Sequence, residues 1–221
     1  MDRTITLEKN EKEIVISADG VQLKGILGLP PQIKGVVIFA HGSGSGRFSP
    51  RNNYVARTLQ EAGIATVLSD LLEESESLDR QKVFDIDLLT DRLLANTRWI
   101  QQQSKLKRMR IGYFGASTGA AAALQAAARE PDKIAAVVSR GGRPDLAMEY
   151  LEGVRAATLL IVGGDDRPVI SLNEAAYVKL KCPKELVIIP GATHLFEEPG
   201  ALEKVAQLAQ DWLLNNFLTQ R

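Results

Sequence analysis

The sequence predicts a single α/β domain over residues 1–221, with a mostly parallel central sheet, antiparallel N-terminal strands, helices on both faces and no cap domain. Two patterns lead to this fold class. From about residue 35 onward, short runs of β-branched apolar residues alternate with longer segments of helical periodicity, which is typical of βα units. Before them, shorter segments alternate apolar and polar residues, which is typical of half-exposed antiparallel strands.

Six apolar runs are the predicted strands of the parallel part of the sheet. Their uninterrupted Val, Ile and Leu content indicates strands that are buried on both faces. They are GVVIFA, IATVLSD, RIGYFG, IAAVVSR, ATLLIVG and ELVIIP. The predicted antiparallel strands are TITLEK (residues 4–9), EIVISA and VQLKGILGLP.

Local start and stop signals delimit the predicted helices. Ser49 is a candidate N-cap before Pro50, and Gly63 ends the helix that contains YVARTLQEA. Apolar residues share one helical face in segment 85–103 and again near the C-terminus. The segment LLEESESLDRQK has no clear period and is predicted to be a loop. The stretch between IAAVVSR and ATLLIVG is too short for a helical cap domain.

Composition and charge argue against several classes of function. Lys plus Arg and Asp plus Glu both total 27, so no net field attracts nucleic acid or an anionic membrane. The charged N-terminus lacks the apolar core of a signal peptide, and we expect a cytoplasmic protein. The single cysteine, Cys182, is interpreted as a small hydrophobe. A mean hydropathy of -0.07 is compatible with a homodimer.

A candidate nucleophile lies in the turn GASTG, which follows the strand RIGYFG and precedes an alanine-rich helix. In the pattern G-x-S-x-G, the serine occupies a strained turn at the carboxyl end of the sheet. The N–H groups and the dipole of the following helix favour negative charge there. Ser117 is therefore the predicted nucleophile. The alternative is a glycine-rich turn in which Ser117 acts only as an N-cap.

A base and a carboxylate follow two later strands at the same edge of the sheet. His194, in GATHLF, follows ELVIIP and is the predicted general base; the alternative is an exposed loop histidine. Asp165 and Asp166 follow ATLLIVG, where a carboxylate can accept the Nδ1 hydrogen of the histidine. We assign this role to Asp166. Asp165 is second, and either residue could instead form the turn.

The glycine-rich segment HGSGSGRFSPRN after GVVIFA predicts an oxyanion hole. The proposed donors are the backbone N–H groups of Ser43 and Thr118, and Gly42 is a candidate for substrate contact. A phosphate-binding loop is the rival interpretation. It is poorly supported, because neither G-x-G-x-x-G nor a terminal Gly-Lys-Ser/Thr is present. His41, the other histidine, is interpreted as structural.

Taken together, these segments resemble the α/β-hydrolase superfamily, and within it the dienelactone-hydrolase-like branch of small single-domain hydrolases. The resemblance covers roughly residues 15–218. It is carried by HGSGSGRFSPRN, GASTG, VVSRGGRPD, GGDDRPV and GATHLF. Dienelactone hydrolase itself uses a cysteine nucleophile, whereas the matching position here is Ser117. The resemblance implies an α/β-hydrolase fold and a hydrolytic activity.

The predicted triad favours hydrolysis of small soluble esters or lactones through an acyl-enzyme, with no cofactor and no metal. An acyltransferase or a small peptidase would use the same triad. A non-catalytic, ligand-sensing protein with this fold is the remaining alternative.

Two arginines in SRGGRPD are candidates for recognising an acidic substrate. Arg140 and Arg143 follow a strand beside the predicted nucleophile, and either could bind a carboxylate in a bidentate manner. The alternative is a structural arginine paired with Asp145 or Glu149. Arg47 and Arg51, near the glycine-rich segment, are also candidates for binding an acidic substrate.

Overall fold

The computed structural model describes residues 7–218. The strands are β1 Glu11–Ala18, β2 Val21–Gly28, β3 Gly35–Ala40, β4 Ile64–Ser69, β5 Ile111–Ala116, β6 Ile134–Arg140, β7 Ala157–Gly163 and β8 Lys184–Ile189. The helices are α1 Pro50–Glu61, α2 Glu74–Ser77, α3 Arg80–Val83, α4 Ile86–Gln102, α5 Thr118–Arg129, α6 Arg167–Lys179 and α7 Ala201–Leu218, with a 3-10 helix at Pro144–Gly153.

The eight strands form one sheet in the order β1-β2-β4-β3-β5-β6-β7-β8. β1 pairs antiparallel with β2, and β2 pairs antiparallel with β4, whereas all later pairs are parallel. This arrangement confirms the predicted fold class. In the parallel part, the carboxyl ends of the strands meet at one edge, so the loops after β3, β5, β6, β7 and β8 are brought together.

Two apolar layers cover the sheet, one on each face. The alternation along β5 illustrates them, because Tyr113 packs into one layer and the adjacent Phe114 into the other. Helices α4 and α5 contribute to the layer with Tyr113, through residues such as Leu93 and Leu124. Helices α1 and α7 contribute to the layer with Phe114. The central strands are therefore buried on both faces, as their composition predicts.

Three local predictions are wrong. β8 is the last strand of the sheet and is only partly buried, with Ile188 42% exposed, because nothing pairs with its outer side within residues 7–218. The segment 71–82 forms one-turn helices α2 and α3, capped by Glu73 and Asp79, instead of a loop. In the predicted strand 4–9, residues 4–6 lie outside the described residues, and 7–9 precede β1 as coil and turn.

The elements that frame the predicted site agree with the sequence signals. Ser49 caps α1 by accepting the N–H of Asn52, and Gly63 follows the helix with a φ of 89°. Between β6 and β7, residues 141–156 contain the 3-10 helix and no inserted domain. Over residues 7–218, no helix is both long and apolar enough to span a membrane.

Candidate active site

Ser117 lies in the turn between β5 and α5 with a φ of 52° and a ψ of -122°. This is a strained conformation for a residue with a side chain, and it is the geometry of a nucleophile elbow. Backbone bonds hold it in place: the Ser117 N–H donates to the Arg140 carbonyl at 3.2 Å, and the Ser117 carbonyl accepts the N–H of Ala120 at 3.1 Å. The turn therefore presents Ser117 at the carboxyl edge of the sheet.

Glycines next to the elbow allow the backbones to approach closely. A Cβ atom on Gly119 would overlap the Ala40 carbonyl oxygen at the end of β3. A Cβ atom on Gly42 would lie 3.0 Å from the Ser117 Cβ and 3.1 Å from the Ala116 carbonyl. Gly42 thus forms the wall of the site directly beside Ser117, where the sequence places a substrate contact.

His194 and Asp166 form the second part of the site. Their Nδ1 and Oδ2 atoms lie 2.6 Å apart, and the carboxylate side chain is 11% exposed against 38% for the histidine. A carboxylate can only accept, so Nδ1 carries the hydrogen and Nε2 is left to accept a proton from a serine. Asp165 is exposed, and its backbone N–H donates to the Ala192 carbonyl at 2.9 Å. Asp166 is therefore the carboxylate at the ring.

The segment after β6 touches both halves of the site. The Arg140 carbonyl accepts the Ser117 N–H, and Gly141, with a φ of 52°, lies against the loop of His194. A Cβ atom on Gly141 would be 3.4 Å from the His194 Nδ1 and 3.2 Å from its carbonyl oxygen. The turn after β6 thus contacts the elbow of Ser117 on one side and the loop of His194 on the other.

The loop that carries His194 is fixed by residues that sequence reasoning missed. Glu198 accepts the Thr193 N–H at 3.1 Å and the Thr193 hydroxyl at 2.6 Å. These hydrogen bonds lower the pKa of Glu198 and keep its carboxylate ionised. Phe196, with a φ of 56°, inserts its buried ring into the apolar layer below. No motif in the sequence marks Glu198, and Phe196 ends the segment GATHLF without an assigned role.

The predicted oxyanion donors lie next to each other, but one is already engaged. The Ser43 N–H donates to the Thr118 hydroxyl at 3.0 Å. The Thr118 N–H is the first of α5, and the first amides of a helix have no intrahelical acceptor. A substrate oxygen would therefore accept the Thr118 N–H directly. At the Ser43 N–H, it would share the donor with the Thr118 hydroxyl or displace that hydroxyl.

His41 has the structural contacts that the sequence analysis expects. Its Nδ1 donates to the Gly42 carbonyl at 3.0 Å, and its Nε2 accepts the N–H of Leu71 at 2.9 Å. Burial lowers the pKa of His41, against smaller opposing effects from the Gly42 carbonyl and Asp70. The neutral ring therefore joins the end of β3 to the chain that follows β4.

A cleft of about 880 Å³ lies beside the glycine-rich loop. Its lining includes Gly42, Ser43 and residues after β4, but none of Ser117, Asp166 and His194. Arg47 does not project freely into this cleft, since its guanidinium pairs with Asp70 and lies 4.0 Å above the ring of Phe48.

The two arginines after β6 have different environments. Arg143 binds Asp145 through two hydrogen bonds of 2.8 Å, which is the predicted structural alternative. Arg140 pairs with neither Asp145 nor Glu149, and it has no hydrogen-bond partner among residues 7–218. Burial, and to a lesser degree the charge of Arg51, lowers the pKa of Arg140 to about 10, so the guanidinium stays cationic at neutral pH.

Residues 23–218 match the model of the dienelactone hydrolase family. The chain belongs to the dienelactone hydrolase family. A dienelactone hydrolase from Anabaena variabilis is similar at 53% identity and a TM-score of 0.91, over 94% of this chain and 99% of that one. Family membership and this neighbour support a hydrolase.

More distant structures share the fold of this dienelactone hydrolase family member. Est1E from Butyrivibrio proteoclasticus has 19% identity and a TM-score of 0.81, over 94% of this chain and 99% of its own. A serine hydrolase without lid from Xanthomonas campestris has 20% identity and a TM-score of 0.78, over 99% and 100%.

A curated relative from Mycobacterium tuberculosis carries a different description. It is named a putative phosphoribosyl transferase and is 52% identical over 207 residues, which cover 94% of this chain but 47% of the relative. The chain therefore spans about half the length of the curated relative that it matches.

Proposed function

We propose that this protein is a serine hydrolase that cleaves small soluble esters or lactones through an acyl-enzyme intermediate. The observation that carries the proposal is the 2.6 Å contact between His194 Nδ1 and Asp166 Oδ2 beside a serine in the strained elbow conformation. A serine hydroxyl is a weak nucleophile at neutral pH, and a histidine oriented by a carboxylate is the arrangement that activates it.

The first half-reaction forms the acyl-enzyme. The Ser117 Oγ attacks the carbonyl carbon of the substrate while its proton moves to the His194 Nε2. The carbonyl oxygen becomes negative and accepts hydrogen bonds from the Thr118 N–H and the Ser43 N–H. When the tetrahedral intermediate collapses, the bond to the leaving oxygen breaks, and that oxygen takes the proton from His194.

The second half-reaction releases the acid. A water molecule gives a proton to the His194 Nε2 and attacks the acyl carbon, and the Ser117 Oγ leaves with that proton. Asp166 stabilises the imidazolium in both halves. An alcohol or an amine in place of this water would give acyl transfer by the same steps, and a peptide bond in place of the ester would give a peptidase.

The surroundings of the elbow favour small soluble substrates. Only a 3-10 helix separates β6 from β7 in the fully described stretch 141–156, so no inserted domain covers the site. The cleft beside the glycine-rich loop contains charged and polar groups such as Lys24, Asp70 and Glu73. A long acyl chain in this cleft would lie against those charges, whereas a short ester or lactone need not reach them.

A fluorophosphonate probe with a panel of 4-nitrophenyl esters of different chain length tests the proposal. We expect labelling and hydrolysis in the wild type, and neither in Ser117→Ala. Ser45→Ala is the matched control, because Ser45 is an exposed residue of the glycine-rich loop whose side chain has no role in the mechanism. Absence of labelling in the wild type, or labelling that persists in Ser117→Ala, would contradict the proposal.

Phosphoribosyl transfer is a second candidate because of the name of the relative from Mycobacterium tuberculosis. We assign that name to the part of the relative that this chain does not cover, since the part that it matches is 52% identical to a member of a hydrolase family. Pyrophosphate release from phosphoribosyl pyrophosphate measures the alternative. We expect none above the buffer control with this chain, and catalytic release would refute the assignment.

A further inference from the structure

The Thr118 side chain lies next to the backbone donors of the predicted oxyanion hole. Its hydroxyl oxygen accepts the Ser43 N–H at 3.0 Å. Thr118 is only 3% exposed, although it directly follows the proposed nucleophile Ser117. A buried hydroxyl normally uses both its donor and its acceptor capacity. In Thr118, the acceptor capacity is used by an N–H group that the oxyanion hole also uses.

The hydroxyl hydrogen of Thr118 has no acceptor among residues 7–218. Within a helix, a threonine hydroxyl often donates to the carbonyl three or four residues earlier. Thr118 is the first residue of α5, so no preceding helical turn offers that carbonyl. Because the Ser43 N–H occupies one lone pair of the hydroxyl oxygen, the hydrogen points away from Ser43. It can therefore bind an acceptor that enters the site.

The position of this hydroxyl suits a negatively charged acceptor. An oxygen that accepts the Thr118 N–H comes near the Thr118 hydroxyl, because both donors belong to one residue. The positive end of the α5 dipole favours negative charge at the same point. A hydroxyl that already accepts a hydrogen bond is also a stronger donor, since hydrogen bonds in a chain polarise one another. The pair of Ser43 N–H and Thr118 O–H thus fits the oxygen that becomes negative when Ser117 attacks.

We propose that the Thr118 hydroxyl is a third donor of the oxyanion hole, which binds the substrate oxygen while it continues to accept the Ser43 N–H. No bond breaks and no proton is transferred to or from Thr118. The hydroxyl donates a hydrogen bond that strengthens as the carbonyl oxygen gains charge. This proposal rests on the proposed function, because it concerns the transition state of the same triad.

Thr118→Val tests the role of the hydroxyl, because valine keeps the branched shape and the backbone N–H but cannot donate from its side chain. We expect kcat to fall about 10²-fold with little change in KM, as for the loss of one oxyanion donor. Thr118→Ser keeps the hydroxyl and should retain near wild-type kcat. Thr158→Val is the matched control, because Thr158 is buried at the opposite edge of the sheet, where its hydroxyl donates to the Ala156 carbonyl.

The opposite result is expected if the Thr118 hydroxyl only blocks the Ser43 N–H. Its removal would then free that donor, and kcat of Thr118→Val would rise. A kcat at or above the wild-type value would therefore overturn the proposal. Thr118→Ala replaces Thr118→Val in every comparison if circular dichroism shows that the valine variant does not fold.

A thionoester distinguishes a direct contact with the substrate oxygen from an effect on folding. Its sulfur replaces the carbonyl oxygen and accepts hydrogen bonds only weakly. We expect the ratio of kcat/KM for an ester to that for its thionoester to fall in Thr118→Val. The ratio should be unchanged in Asp166→Asn, which slows the reaction without altering the oxyanion hole. A wild-type ratio in Thr118→Val would show that the hydroxyl does not contact the reacting oxygen.

A binding measurement separates the oxyanion hole from the chemistry. Butanoate, the acid product of 4-nitrophenyl butanoate, offers a negative oxygen to the hole and needs no turnover in Ser117→Ala. By NMR spectroscopy, we expect saturable shifts of the Ser43 and Thr118 amide signals, and a Kd about tenfold weaker when Thr118→Val is added. Butanoate binding that is absent, leaves these amides unshifted or is independent of the hydroxyl would refute the third donor. Absence of fluorophosphonate labelling in the wild type would refute only the triad.

Discussion

Replacing Asp166 with asparagine removes a negative charge while keeping the size of the side chain. In the wild type, the carboxylate accepts from His194 Nδ1 at 2.6 Å and is 11% exposed. The amide group of an asparagine can donate to Nδ1 and move the ring hydrogen to Nε2, where it blocks proton transfer from Ser117. The variant also lacks the charge that stabilises the imidazolium.

The magnitude follows from the geometry. Opposite charges about 4 Å apart interact by about 4 kcal/mol at an effective dielectric constant of about 20, or about three powers of ten in rate. His194 has 38% of its side chain exposed, so solvent screening reduces this value. We therefore expect kcat to fall about 10²- to 10³-fold.

Steady-state hydrolysis of a 4-nitrophenyl ester measures the effect. KM should change little, because Asp166 has no proposed contact with substrate. Asp165→Asn should retain near wild-type kcat, because Asp165 is exposed and the hydrogen bond to His194 Nδ1 is made by Asp166. A kcat for Asp166→Asn within tenfold of the wild type would refute the reasoning, as would an equal loss in Asp165→Asn.

Three further predictions follow from the residues around the triad. Burial lowers the pKa of His41 in the folded state. As the pH falls below about 6.5, His41 therefore takes up a proton in the unfolded chain before it does so in the folded chain, which favours unfolding. When the pH falls from 7.5 to 5.5, the free energy of unfolding measured in urea should therefore decrease by up to about 1.4 kcal/mol more in the wild type than in His41→Gln. Equal decreases would contradict this prediction. Gly42→Ala places a Cβ 3.0 Å from the Ser117 Cβ and should lower kcat/KM about tenfold or more, and an unchanged value would show that the wall can move. Glu198→Ala removes both hydrogen bonds from Thr193 and should lower kcat severalfold by loosening the histidine loop, whereas wild-type kcat would show that other contacts hold the loop.

The sequence predicts the strands and the elbow because their signals are local. A run such as GVVIFA can bury both faces only in the interior of a sheet, and the turn around Ser117 needs small neighbours whatever the rest of the fold. The partial exposure of β8 depends on its place at the end of the strand order, which its composition does not encode. The one-turn helices α2 and α3 are shorter than a helical periodicity can reveal.

At the site, the sequence identifies the residue types and favours Asp166 as the partner of His194, but it does not decide how the arginines pair. Arg140 and Arg143 lie five and two positions before Asp145, and only Arg143 binds it. β6 continues through Arg140, whose buried side chain lies near the ring of Phe196, whereas Arg143 follows the turn and is partly exposed. The choice between Asp165 and Asp166 has the same cause, because one residue of register decides which side chain faces the histidine.

Intact-mass analysis of the protein during turnover of a slowly released ester tests the central claim most directly. The mechanism predicts a mass increase of one acyl group, located by peptide mapping on Ser117, that disappears as product forms and is absent in Ser117→Ala. Turnover in which no acyl group attaches to the protein, or in which it attaches to another residue such as Cys182, would contradict the mechanism.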